Sequence, residues 1–119
     1  MSEIDTQEDV FRKAREVAEF LVEKKANNVV CIDISSLTSM ADCFIMADVE
    51  VQLQVDSLRS QIVDLLSAQG IHARNAVNAV QQGWALLDYN GFIVHIFLTE
   101  LREYYGLEKI WGEGKKLFP

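Results

Sequence analysis

Two apolar runs, WALLDY over residues 84–89 and FIVHIF over 92–97, flank Asn90-Gly91, and no other feature restricts the fold of this chain so tightly. Asn-Gly is the strongest short hairpin signal because a type I′ turn needs positive φ at both central residues. Such a turn fixes the register. Tyr89 faces Phe92, and outward from there Asp88 faces Ile93, Leu87 faces Val94, Leu86 faces His95, Ala85 faces Ile96 and Trp84 faces Phe97. Alternate residues of a strand point to opposite faces. One face therefore carries Ala85, Leu87, Tyr89, Phe92, Val94 and Ile96, which is apolar apart from one phenol and is expected to be core. The other carries Trp84, Leu86, Asp88, Ile93, His95 and Phe97, a mixture that no simple core requires, and is where a functional surface is expected.

Upstream, Asp5 and Thr6 precede an acidic first turn, and Val10, Ala14, Val17, Ala18 and Leu21 recur at helical spacing, so a first helix is expected over 6–25. Lys24 and Lys25 would complement the dipole in its last turn, with Asn27-Asn28 as the stop. VVCIDI (29–34) reads as a strand buried on both faces, Ser35 to Asp42 as a polar loop and CFIMA from Cys43 as a second strand. A loop of eight residues is too short for a helical crossover, so the two strands are expected to be antiparallel neighbours or neighbours in a mixed sheet.

Val55, Leu58, Ile62, Leu65 and Leu66 then mark a second helix over about 51–69, ended by Gly70. IHARNAV (71–77) carries a faint strand pattern, and a polar loop leads from it to the hairpin. Beyond the hairpin Thr99 is placed to cap a short helix with Leu101 and Tyr105, Gly106 interrupts it, LEKIW resumes a helical turn, and a Gly- and Lys-rich tail closes the chain. The order α-β-β-α-β-β-β-α predicts a mixed sheet packed by helices, an α/β fold. With half of its 119 residues apolar, the chain has material for one core and not two, giving a single domain over 1–119.

Eleven basic against eighteen acidic residues give a net charge of −7, which disfavours sequence-independent nucleic-acid binding, since phosphates demand clustered Lys and Arg. A basic protein partner suits the charge better, although moderate acidity also serves solubility alone. No apolar run reaches the roughly 18 to 20 residues that span a bilayer, and MSEIDTQEDV is not a secretory signal, so a cytoplasmic protein without a membrane partner is expected. Cys31 and Cys43 lie in apolar runs without a CxxC or a nearby His, and read as buried thiols in core strands.

Metal-dependent nucleotidyl transfer needs paired carboxylates, yet Asp33, Asp42 and Asp88 each stand alone, so neither a metal nor another cofactor is expected. His95 and Asp88 are diagonal neighbours in the derived register, within possible reach of a hydrogen bond. Ser35, Ser36 and Ser39 lack a nucleophile elbow, which leaves a structural or recognition role for the pair ahead of a hydrolytic one. Trp84 can be read either as an aromatic closing the end of the sheet core or as a binding anchor.

The run G-W-x-L-L-D-Y, followed by V-H-x-F and R-x-x-Y-x-L-E-x-x-W, resembles the C-terminal signature of the ribosomal silencing factor family, also called the Iojap family. Upstream, EKKANNVVCIDISSLTSMADCFIMA is similar to that family's first strand and the A-D-x-F that follows it, so the resemblance spans most of the chain. It implies a nucleotidyltransferase-like topology without the catalytic residues. It also implies a binding protein that docks on large-subunit ribosomal protein fourteen and keeps the small subunit from joining, thereby repressing translation.

Residue by residue, the resemblance carries partner binding to Trp84, Leu86, Asp88, His95, Arg102, Tyr105 and Glu108, with Leu107 and Trp111 also matched; Phe97 joins them through its register with Trp84. An aromatic anchor beside an aliphatic side chain and a carboxylate has the composition of an interface hot spot. The chain departs from the family pattern at Ala47-Asp48-Val49-Glu50-Val51, at Val77-Asn78 and at Asn90-Gly91. The alternative is a degenerate nucleotide-binding or hydrolytic enzyme. The apolar content of the mixed face further predicts a homodimer through the same patch.

Overall fold

Thr6 opens the first element by turning its hydroxyl back to accept the Asp9 N–H at 3.1 Å, which caps α1 (Gln7–Glu23). The computed structural model describes residues 6–74, 83–106, 112 and 114–118, and only the backbone of Tyr104 and Tyr105. Helix α1 ends earlier than its periodicity suggests. Lys25 enters the left-handed region at φ 67°, its N–H donates to the Val22 carbonyl, and the Ala26 N–H donates to that of Leu21. This paired closure satisfies carbonyls that the helix would leave open. Lys24 is thus the C-cap and not part of the last turn, its ammonium 5.4 Å from the centre of the Phe20 ring.

Asn27 and Asn28 belong to β1 (Asn27–Asp33), where Asn28 has φ 51° and the register slips between Asn27 and Val30. Strand β2 (Cys43–Val49) pairs antiparallel with β1, as the short loop requires, and α2 (Gln52–Ser67) follows. Gly70 closes α2 with φ 79°, its N–H donating to the Ser67 carbonyl and that of Ile71 to Leu66.

The hairpin of β3 (Trp84–Asp88) and β4 (Phe92–Leu98) has the register derived from sequence, from Trp84 opposite Phe97 through Asp88 opposite Ile93. Its turn is of a different kind. Gly91 has φ 95°, whereas Asn90 is not in the positive region that a type I′ turn demands. The Gly91 carbonyl accepts the Asp42 N–H at 2.8 Å, and a Cβ on Gly91 would lie 2.6 Å from Val10 Cγ2. Contacts to the start of β2 and to α1 therefore shape the turn, and they need glycine there.

The sheet order is β3-β4-β2-β1-β5, with β2 and β4 parallel and every other pair antiparallel. Strand β5 (Lys115–Phe118) lies in the Gly- and Lys-rich tail, for which the sequence predicts no strand: it pairs with β1, Asp33 opposite Lys115 and Ile32 opposite Lys116. Its two exposed lysines suit a short strand that must not recruit further strands at the edge. Of the strand expected over 71–77, residues 71–74 are not strand; the Arg74 N–H instead donates to the Asp88 carbonyl at 2.7 Å. Residues 75–77 lie outside the described residues, as does the helical turn expected at LEKIW. After β4 comes α3 (Thr99–Tyr105), which ends at Gly106 with φ 57°.

Helices α1 and α2 pack on one face of the sheet, with α1 against β1 and β2 and α2 against β3 and β4. Beneath them Val17, Leu21, Ile45, Leu66, Phe92 and Ile96 form the main core together with Ala85, Leu87, Tyr89 and Val94, the hairpin face expected to be buried. Cys31 and Cys43 sit in that core as free thiols. Lys13 of α1 donates to Glu16 of the same helix and to Gln69 in the turn after α2, and the Gln69 amide donates in turn to Glu16.

Candidate functional site

The second sheet face is where the sequence places function, and it proves to be a second, smaller core as well. Val30, Ile32 and Ile34 of the first strand and the loop after it meet Phe44 and Met46 of β2 and Ile93 and Phe97 of β4, with Trp84 and Leu86 partly buried against them. Parity along the hairpin holds, but the six residues of this face divide by strand. On central β4, Ile93, His95 and Phe97 are buried; on edge strand β3, Trp84, Leu86 and Asp88 keep partial exposure. The expectation that the whole face is open is corrected. A central strand has neighbours on both sides whose side chains close over it, while an edge strand has one.

His95 sits among aromatic rings. Its ring stacks on Phe97 at 5.7 Å with 1° between the planes and meets Phe44 edge-on at 4.7 Å. The expected bond to Asp88 is not formed, because Trp84 takes its place: the indole Nε1–H donates to His95 Nδ1 at 3.2 Å, and among the described residues His95 Nε2 has no hydrogen-bond partner. An Nδ1 that accepts puts the hydrogen of the neutral ring on Nε2. Burial holds the His95 pKa down at about 4. Trp84 also packs on Phe97, with ring centres 5.0 Å apart.

At the end of the same face lies a polar cluster that the sequence reading does not contain. Asp48, fully buried on β2, accepts from Arg102 Nη1 at 3.0 Å, from Asn28 Nδ2 at 3.0 Å and from the Thr99 hydroxyl at 2.6 Å. Arg102 donates as well to the Asn28 carbonyl at 2.7 Å. The left-handed turn at Asn28, the bulge in β1 and helix α3 thus meet at one carboxylate. Thr99 spends its hydroxyl here, and α3 starts without a side-chain cap. The available signal was Asp48 itself, an acid in the wholly buried strand CFIMADV, which demands a partner somewhere in the chain.

Arg102 therefore serves first as an internal ion pair, 5% exposed, and Phe97 as a buried ring. The Tyr105 side chain and Glu108, Leu107 and Trp111 lie outside what is described. Asp33 and Asp42 do not form a catalytic pair: Asp33 accepts from Ser35, and Asp42 from Gln7. Among the described residues, no three His, Cys, Asp or Glu side chains lie close enough to hold a metal ion, and no helix is long and apolar enough to cross a membrane.

Residues 6–117 match the family model described as ribosomal silencing factor during starvation. A ribosomal silencing factor from Halalkalibacterium halodurans is 31% identical over 92 residues, covering 77% of this chain and 79% of that one. A chloroplastic Iojap protein of Arabidopsis thaliana is 25% identical over 116 residues, 98% of this chain and 48% of its own length. Among solved structures, a Chromobacterium violaceum protein superposes with a TM-score of 0.77 at 26% identity, covering 86% of each chain. One from Bacillus halodurans gives 0.70 at 26% identity over 87% of this chain and 94% of its own.

Proposed function

The chain belongs to the ribosomal silencing factor family, and from that membership we propose that it docks on large-subunit ribosomal protein fourteen and bars the small subunit from joining, which represses translation in the cytoplasm. The observation that carries the docking surface is the partial exposure of Trp84, Leu86 and Asp88 on one face of an edge strand, backed by the buried rings of His95, Phe97 and Phe44. A large aromatic held on a rigid support, with an aliphatic and a carboxylate beside it, is how interface hot spots are built. The family motif assigns Tyr105 and Glu108 to the same partner, and Arg102 contributes by holding α3 against Asp48 and the Asn28 carbonyl. A net charge of −7 favours encounter with a basic ribosomal protein. The hydrolytic alternative gains nothing from His95, whose accepting nitrogen is taken by Trp84.

Cosedimentation with purified large subunits tests this reading, and absence of binding at low salt ends it. Two substitutions locate the surface. Leu87→Ala opens a cavity in the main core and should cost about 2 to 5 kcal/mol of stability while binding per folded molecule survives. Trp84→Ala loses packing on Phe97 and so some stability, but its larger effect should be on binding, about 2 kcal/mol or more. If Trp84→Ala binds large subunits as tightly per folded molecule as the unmodified protein, the docking surface lies elsewhere.

A further inference from the structure

We propose that His95 is a positioning residue for Trp84, presetting the indole so that the docking surface offers ring area and not a hydrogen-bond donor; this rests on the reading that the hairpin face docks on the large subunit. Three observations converge on it. The Trp84 N–H is turned inward to His95 Nδ1 at 3.2 Å although the residue keeps partial exposure. A partly exposed indole would otherwise find water for its N–H, so this bond selects one rotamer from several. The imidazole cannot turn away, because Phe97 lies parallel to it at 5.7 Å and Phe44 stands against its edge at 4.7 Å.

The arrangement also costs something. Acceptance at Nδ1 forces the hydrogen onto Nε2, which is buried and has no partner among the described residues. A phenylalanine here would avoid that orphaned donor, so folding alone does not account for the imidazole. Holding the indole does. An anchor fixed before contact loses less rotamer freedom on binding, and affinity gains accordingly. The partner chemistry follows: a group packing on an indole face and its carbon edge, not an acceptor seeking the indole N–H.

Two substitutions separate positioning from packing. His95→Phe keeps the ring volume and removes the acceptor; His95→Asn places its amide oxygen close to where Nδ1 stood. Cosedimentation with purified large subunits should show about a tenfold loss of affinity for His95→Phe, without a lowered melting temperature. His95→Asn should restore most of the affinity. In ¹⁵N-labelled protein the Trp84 indole resonance, assigned by its absence in Trp84→Phe, should shift and exchange faster with solvent in His95→Phe, and return in His95→Asn. Binding by His95→Phe equal to that of the unmodified protein overturns the inference, as does an equal loss in both variants with unchanged indole exchange. If the unmodified protein fails to bind large subunits, the docking reading falls, while the indole exchange still decides whether His95 holds Trp84.

Discussion

His95 makes the stability of the whole domain depend on pH in a direction that can be worked out. Its folded pKa lies at about 4 against an ordinary 6.5, so the unfolded chain binds the proton more readily. A depressed histidine contributes its stability fully above about pH 6.5 and loses it progressively as pH falls toward 4, in total about 3 kcal/mol at most. Protonation would also set an imidazolium N–H against the Trp84 N–H. Among the described residues, the charged groups on this face are Asp88 on β3 and, at its end, Asp48 with Arg102; they and every other ionisable group form a background common to the unmodified protein and its variants. The comparison with His95→Phe removes that background, since the variant loses the indole acceptor equally at every pH. Denaturant midpoints between pH 7 and 4 should show the unmodified protein losing stability faster than His95→Phe. Parallel curves would mean that His95 does not stay neutral in the fold.

Between elements, the decisive contact is Asp48 with Arg102, because it joins β2, the bulge of β1 and α3 at one buried carboxylate. Removing one member of a buried pair strands the other charge, so Arg102→Met should cost about 3 to 5 kcal/mol. Adding Asp48→Asn should recover part of that loss, since a neutral amide oxygen can still accept from Thr99 and needs no counter-charge. A double-mutant cycle measures the coupling, and strictly additive losses would show that the two residues act apart. This contact also explains what the sequence could and could not yield. The hairpin was readable because its turn and its alternation are local, which is why Leu86 opposite His95 came out correctly although Asn90 has the wrong φ for the turn that was assumed. Partners 54 residues apart, such as Asp48 and Arg102, leave no periodic trace, and Arg102 looked like a surface residue because only its family motif could be read. Strand β5 escaped because Lys-Lys-Leu-Phe has no alternation of its own and becomes a strand only through the edge of β1. The open part of the candidate site shrank for a related reason: parity assigns a face, but burial depends on which strand is central, and that is a property of the sheet order.

At the scale of the molecule, a charge of −7 acts in opposite senses on the two associations expected of the Trp84 surface. Two copies of the chain repel each other, whereas a basic ribosomal protein is attracted; both effects fade as salt shortens the screening length from about 10 Å at 0.1 M to about 3 Å at 1 M. The apolar contact made by Trp84 and Leu86 is the same in both cases and does not weaken with salt. Raising sodium chloride from about 0.05 to 0.5 M should therefore reduce affinity for large subunits by roughly tenfold while leaving self-association unchanged or stronger. Sedimentation velocity on the free protein and cosedimentation with large subunits read the two responses in one buffer series. Trp84→Ala supplies the link between them, since a shared surface requires it to weaken both. If the free protein stays monomeric at high concentration and high salt, the dimer is ruled out; if Trp84→Ala abolishes subunit binding but leaves a dimer intact, the copies meet through another surface, such as the exposed Val51 and Leu53 at the start of α2.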